Sequence, residues 1–169
     1  MWLRTLTVVL FAALAASGRA LSADLGEVIS SDERLTLFAR AVVKAGVAST
    51  LLEPGPYIVF APSDRALANE GSAFLLDSVL LTDSNAGRLV DLVGHHIAPA
   101  SHGSATLSGD ATLQTLANVP LAVTRVGTGL TVAGYAVVID RIVAENGVVY
   151  IVDRLLWPRD PRWEVPLVR

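Results

Sequence analysis

Two hydrophobic periods run along this chain, and they divide it near its middle. Leu35, Phe38, Ala41, Val42 and Ala45 recur at the three-to-four spacing of a helix with one apolar face. Ser30 and Glu33 stand at capping-box spacing ahead of that run, and Gly46 is placed to end it. Pro54-Gly55-Pro56 then breaks the chain before Tyr57–Phe60, a short strand of aromatic and β-branched residues. Ser63 or Asp64 is available to cap a short helix through Leu67. Helical patterns return over residues 73–81 and from about Asn85 to His96, with Ser84 as a cap for the second. After residue 98 the period shortens. Leu121–Val126, Leu130–Val132, Ala136–Val143 and Val148–Val152 read as strands, with turns expected at Gly127-Thr128-Gly129 and Asn146-Gly147. Helices therefore cluster in the first half and strands in the second, without βαβ alternation. The predicted class is α+β, with N-terminal helices packed on a wedge of short strands from the C-terminal half.

The first 22 residues follow a different logic. Arg4 precedes an uncharged, mostly apolar run from Leu6 to Ala16, and small residues follow at Gly18, Ala20 and Ser22. This is the layout of a secretory signal peptide, and the run is too short for a membrane span. The expected organisation is residues 1–22 as signal peptide, 24–158 as one domain and 159–169 as an irregular tail. No membrane span is expected once the signal is removed. Charge sharpens the reading: all 16 acidic residues lie at or beyond Asp24, and only 13 basic residues oppose them. An acidic chain lacks the basic excess with which nucleic-acid binders displace counterions. The chain has no Cys, which excludes disulfides, thiolate metal sites and a Cys nucleophile.

Three segments carry a resemblance. Tyr57–Leu67 (YIVFAPSDRAL) resembles the first motif of the fasciclin domain family. His95-His96-Ile97-Ala98-Pro99 sits where that family has Tyr-His-Val-Val-Pro. Asn146–Asp153 (NGVVYIVD), followed by Leu155, Leu156 and Pro158, resembles its second long motif, and Thr115-Leu116 falls where a Thr-Leu pair opens the intervening strands. The order and spacing of the motifs identify residues 24–158 as similar to this family, of the single-domain secreted or periplasmic bacterial type. The resemblance implies a non-enzymatic adhesion or interaction domain at the cell envelope or outside the cell, with an unknown protein or cell-surface component as partner. The alternative it implies is a carrier of an apolar, carotenoid-like molecule. Two positions depart from the pattern: His95 replaces the motif Tyr, and Tyr150 replaces a motif His. Where animal members carry an Asp-Ile pair linked to integrin binding, this chain has Arg141-Ile142 with Asp140 displaced by one. Integrin binding is therefore not supported.

Candidate chemistry is sparse. His95, His96 and His102, with Asp91 nearby, have the residue types of a metal site. On a helix, however, His96 shares the apolar face of Leu89, Leu92 and Val93, while His95 points about 100° away toward Asp91 and Arg88. No Gly-x-Ser-x-Gly elbow supports a hydrolase, and the Gly127–Gly134 glycines lack dinucleotide-binding spacing. No catalytic residue, cofactor or metal is expected. Asp64, His96, Asn146, Gly147 and Asp153 are expected to be structural motif residues that pin loops to the core. His95 and Tyr150 are expected as surface contacts.

Overall fold

The computed structural model describes residues 23–69, 82, 85–100 and 106–158. The expected signal peptide, the tail, the helix over 73–81 and the cap at Ser84 all lie outside these residues. The described helices are α1 (Leu25–Ser31), α2 (Thr36–Lys44), α3 (Asp64–Asn69) and α4 (Ala86–His95). The strands are β1 (Tyr57–Pro62), β2 (Ile97–Pro99), β3 (Ala111–Gln114), β4 (Pro120–Val126), β5 (Gly129–Val132), β6 (Ala136–Ala144) and β7 (Gly147–Val152). They form one sheet in the order β2-β1-β7-β6-β5-β4-β3. The fold is α+β. The middle of the sheet joins its two ends in sequence, because β1 runs parallel to β7 from Tyr57↔Gly147 to Pro62↔Val152. All other described pairs are antiparallel.

β7 separates two apolar clusters. Val149 and Ile151 pack with Val59, Ala61 and residues of the four helices, among them Leu25, Phe38, Leu67 and Leu92. Val148, Tyr150 and Val152 join Ile58 and Phe60 on the other side, where Leu121, Val123 and Val132 arrive from β4 and β5. Among the described residues, the sheet forms this second core with residues of its strands and of the loops beside them, and no helix contributes to it. A strand buried on both faces loses its polar alternation, and all six residues of β7 are buried.

The start of the domain differs from the sequence expectation. Ser30 and Ser31 close α1 instead of opening a helix, and Asp24 caps α1 by accepting a bond from the Glu27 N–H. Asp32 caps the next turn, a 3-10 segment (Glu33–Leu35), by accepting from the Arg34 N–H. The Ser30/Glu33 spacing fitted a capping box, but Asp32 offers a shorter local acceptor at the same bend. The stop at Gly46 is a Schellman motif: Gly46 has φ of +72°, its N–H donates to Val43 and that of Val47 to Val42. The last hairpin turn also shifts by one residue. Ala144 pairs with Gly147, so Glu145-Asn146 form the turn and Gly147 opens β7. The Gly127-Thr128 turn joins β4 to β5 as its sequence predicts, with Val126 facing Gly129.

Candidate functional site

His96 follows the last residue of α4 and is fully buried. Its Nδ1 lies 2.8 Å from the Leu92 carbonyl oxygen, and its Nε2 accepts a 3.0 Å bond from the Leu156 N–H. These partners fix the tautomer, with the proton on Nδ1. The backbone carbonyl of His96 accepts from the Phe60 N–H, and its ring centroid is 5.6 Å from that of Phe38. One residue therefore joins α4, β1, α2 and the segment after β7, the link to β1 being made by its backbone. Burial pushes its pKa down to about 3, so the ring is neutral in ordinary buffers.

Asn146 performs the same task at the opposite end of β7. Its Oδ1 accepts from the Leu25 N–H at 2.9 Å, and its Nδ2 donates to the carbonyls of Leu51 and Glu53 at 2.7 and 2.9 Å. Its own carbonyl accepts from the Tyr57 N–H at the start of β1. Gly147 permits this crossing. A Cβ there would collide with the Tyr57 carbonyl and the Leu25 side chain. Asp64, the first residue of α3, accepts a 2.9 Å bond from the Leu37 N–H, capping α2, whose own N-cap residue makes no side-chain bond. Ser63 caps α3 through the Ala66 N–H. Asp153 accepts from the Val137 N–H at 2.7 Å and returns a backbone bond to its carbonyl, fastening β7 to β6.

Both expected surface contacts need correction. His95 is 3% exposed. The helix alone places it off the apolar face, but Trp157 and residues of β4, which come 25 or more positions later, stand around that flank. A helical wheel cannot register partners so distant in sequence. Burial lowers the His95 pKa, and its Nδ1 is the one buried side-chain polar atom among the described residues with no hydrogen-bond partner. Tyr150 lies in the second core, its ring stacked on Phe60 with centroids 5.7 Å apart, and its hydroxyl accepts a 2.7 Å bond from the Leu107 N–H. Polarity at the tip of its ring gave it the look of a contact residue, yet β7 has no exposed face. His102 lies outside the described residues. Among those described, no group of three or more His, Asp or Glu side chains is placed to hold a metal ion.

Sequence reasoning missed two other polar junctions. Tyr135 donates its hydroxyl to the Leu155 carbonyl and accepts from the Trp157 N–H. Arg34 grips Asp32 with Nε and Nη2 while its Nη1 donates to Asp140 on β6 at 2.8 Å. The guanidinium holds both carboxyls below their usual pKa, and they raise its own. The long-range halves of these junctions have no local signal, since Leu155 and Trp157 lie 20 and 22 positions from Tyr135 and Asp140 lies 106 from Arg34.

Three of the exposed large apolar residues among those described lie on β6. Val137, Ile139 and Val143 are exposed there, Val143 to 64%, with Asp140 and Arg141 between them. β5 pairs with β6 only at Ala136 and Val137, whereas β7 follows it to Ala144. Among the described residues no helix is long and apolar enough to cross a membrane.

A mixed seven-stranded sheet with helices over one core, and polar motif residues spent on internal joints, defines a compact scaffold domain. Residues 33–158 match the fasciclin domain, and the chain belongs to that family. It is 28% identical over 133 residues to the uncharacterized protein sll1735 of Synechocystis sp., covering 79% of this chain and 96% of that protein. It is 31% identical over 140 residues to human stabilin-1, covering 79% of this chain but 5% of the relative. The fold is shared with a pair of FAS1 domains from the insect cell adhesion molecule fasciclin I. That match has a TM-score of 0.64 at 12% identity, over 80% of this chain and 51% of that one.

Proposed function

We propose that this chain is an exported, non-enzymatic interaction domain of the fasciclin type, acting at the cell envelope or outside the cell, with β6 as its contact face. The observation that carries the reading is the exposure of three large apolar side chains, Val137, Ile139 and Val143, along one strand, since exposed apolar groups favour a partner. The family supports it, as does the likeness to a cell adhesion molecule's domains. The polar motif residues add to it from the other side, because those that recur in the family are engaged in holding the fold. Asp140 stands one residue away from the position of the Asp in the integrin-linked pair and is ion-paired with Arg34. This supports a partner other than an integrin. Export follows from the leader-like residues 1–22, and cleavage would leave a mature chain beginning between Leu21 and Asp24.

The test is binding of the purified mature protein to isolated envelopes of the producing cell. Ile139→Lys and Val143→Lys together should weaken retention at least ten-fold with an unchanged melting temperature. Equal retention by the variant would reject β6 as the contact face. An apolar pigment extractable from the native protein would instead turn the reading toward the carotenoid-like carrier.

A further inference from the structure

We propose that Asn146 is a site of spontaneous deamidation that the fold holds shut, so that the reaction marks chains that have unfolded and keeps them from refolding. Asn146-Gly147 is the one Asn-Gly pair in the sequence; Asn69, Asn85 and Asn118 precede Glu70, Ala86 and Val119. In an unfolded chain this pair is the most reactive of the four. Glycine puts no side chain in the path of its own nitrogen and leaves the backbone free to turn. The Gly147 amide nitrogen, deprotonated by base, attacks Cγ of Asn146. The Cγ–Nδ2 bond breaks, Nδ2 takes a proton from solvent and leaves as ammonia, and a succinimide ring remains. Water then opens the ring at one carbonyl or the other, giving aspartate or isoaspartate, in which the main chain runs through the side-chain carboxyl. The net change is amide and water to acid and ammonia.

The native structure restrains both reacting groups. Nδ2, the leaving group, donates to the carbonyls of Leu51 and Glu53 at 2.7 and 2.9 Å, and Oδ1 accepts from the Leu25 N–H at 2.9 Å. Ring closure makes Cγ tetrahedral and expels Nδ2, so these bonds must be given up first. Gly147, the nucleophile, is buried and paired with Ala144 on one side and Tyr57 on the other. The same surroundings disfavour the product. Aspartate at 146 would set an acceptor oxygen against the two carbonyls that Nδ2 serves, and acceptors facing one another without a donor are costly. Its charge would enter a cleft of about 520 Å³ lined by Asp24, Glu53 and Glu145, with no basic side chain among the described lining residues. Like charges gathered there oppose ionisation. Isoaspartate would lengthen the main chain inside the two-residue turn that sets Ala144 against Gly147, and turn length fixes hairpin register. This site is separate from the outward surface of β6, and it stands whether or not that surface binds a partner.

The full chain is incubated in mildly alkaline buffer, folded or in urea above its unfolding midpoint, and then digested with trypsin. The peptide Ile142–Arg154 carries Asn146 and no other asparagine, so mass spectrometry reads its conversion directly. The same peptide made synthetically and held in the two buffers corrects for any effect of urea on the chemistry. After that correction, conversion should be at least ten-fold slower in the folded chain, because a reaction that needs an opened structure follows the open fraction. Once urea is removed, converted chains should be enriched in the fraction that fails to refold. Asn146→Asp, made directly, should lower the urea midpoint or prevent folding. The rate comparison uses the natural sequence, so it decides the matter even if that variant does not fold. Equal corrected rates in the folded and unfolded chains, or a midpoint for Asn146→Asp equal to that of the parent, would overturn the proposal.

Discussion

Replacing His96 by Ala tests the joint at the end of α4. The ring is fully buried, so its removal leaves a cavity worth about 2 kcal/mol, at the lower end for large-to-small core changes. Two hydrogen bonds vanish as well, each worth about 1 kcal/mol net, and the Leu156 N–H loses its acceptor. The expected loss is about 3–4 kcal/mol. With a urea slope of about 2 kcal/mol/M, the midpoint should fall by about 1.5–2 M. His95→Ala should cost about 1 kcal/mol or less, because the lost packing is partly offset by removing an unpartnered nitrogen. The pH profile adds an independent reading. The folded pKa of about 3 lies below the unfolded value near 6.5, so the unfolded chain binds more protons between those limits. The contribution is complete above the unfolded pKa and declines as pH falls toward the folded one. From pH 7 to pH 5 the loss due to His96 is about 2 kcal/mol. His95 acts in the same direction, whereas the depressed Asp32 and Asp140 matter only below their ordinary range, near pH 4 and under. His96→Gln should remove the His96 share of that slope while retaining part of the hydrogen bonding. A midpoint shift under about 0.5 M for His96→Ala, or an unchanged slope between pH 7 and 5, would refute the buried-joint account.

Asn146→Ala should cost about 3 kcal/mol in urea unfolding, one for each side-chain bond lost to Leu25, Leu51 and Glu53. Asp64→Ala removes the cap on α2 and should cost about 1 kcal/mol by the same assay. Gly147→Ala should lower stability by about 2–3 kcal/mol, since the added carbon meets the Tyr57 backbone. Gly87→Ala, on the exposed side of α4 with open space around it, should raise the melting temperature, by up to about 0.5–1 kcal/mol in stability. Arg34→Ala breaks pairs that are largely solvent-facing and should cost under about 1 kcal/mol, less still in molar salt.

Periodicity revealed the elements whose partners are uniform. α2 buries Phe38, Ala41 and Val42 on one stripe, and the β4–β5 hairpin follows its Gly-Thr turn. It failed where two partners compete for one element. α1 packs on α2 and β7 through only Leu25, Val28 and Ile29, too few positions to register a period beside the adjoining apolar leader. β7 is buried on both faces, which erased the cue that would have moved Tyr150 indoors. His95 shows the same limit at a single residue: its own helix offers a polar neighbour, and a later strand stands beside it. Of the candidate site, the polar motif residues were legible because each stood beside an apolar run. Their partners were not, because hydrogen bonds across 60 or 121 positions have no trace in local pattern.

The placement of these joints bears on how such a scaffold carries different surfaces. Asn146 and His96 sit near opposite ends of the β1–β7 pair, and the bonds of each reach segments that no strand ladder connects. Each of their side-chain partners is a backbone group: the Leu25, Leu51, Glu53, Leu92 and Leu156 main chains. A joint made to backbone tolerates change in the side chains around it, because every residue but proline offers the same N–H and C=O. The outward residues of β6 take no part in these joints, apart from Asp140, whose link to Arg34 is largely solvent-facing. Substitution at Val137, Ile139 or Val143 therefore leaves the frame standing, and surface changes of this kind cost within about 0.5 kcal/mol. A face that varies cheaply on a frame that does not is where binding specificity can diverge. The Lys substitutions at Ile139 and Val143 should accordingly separate the two properties, lowering association while the urea midpoint holds. A midpoint that fell with binding would mean that β6 belongs to the frame, and the contact face would have to be sought elsewhere.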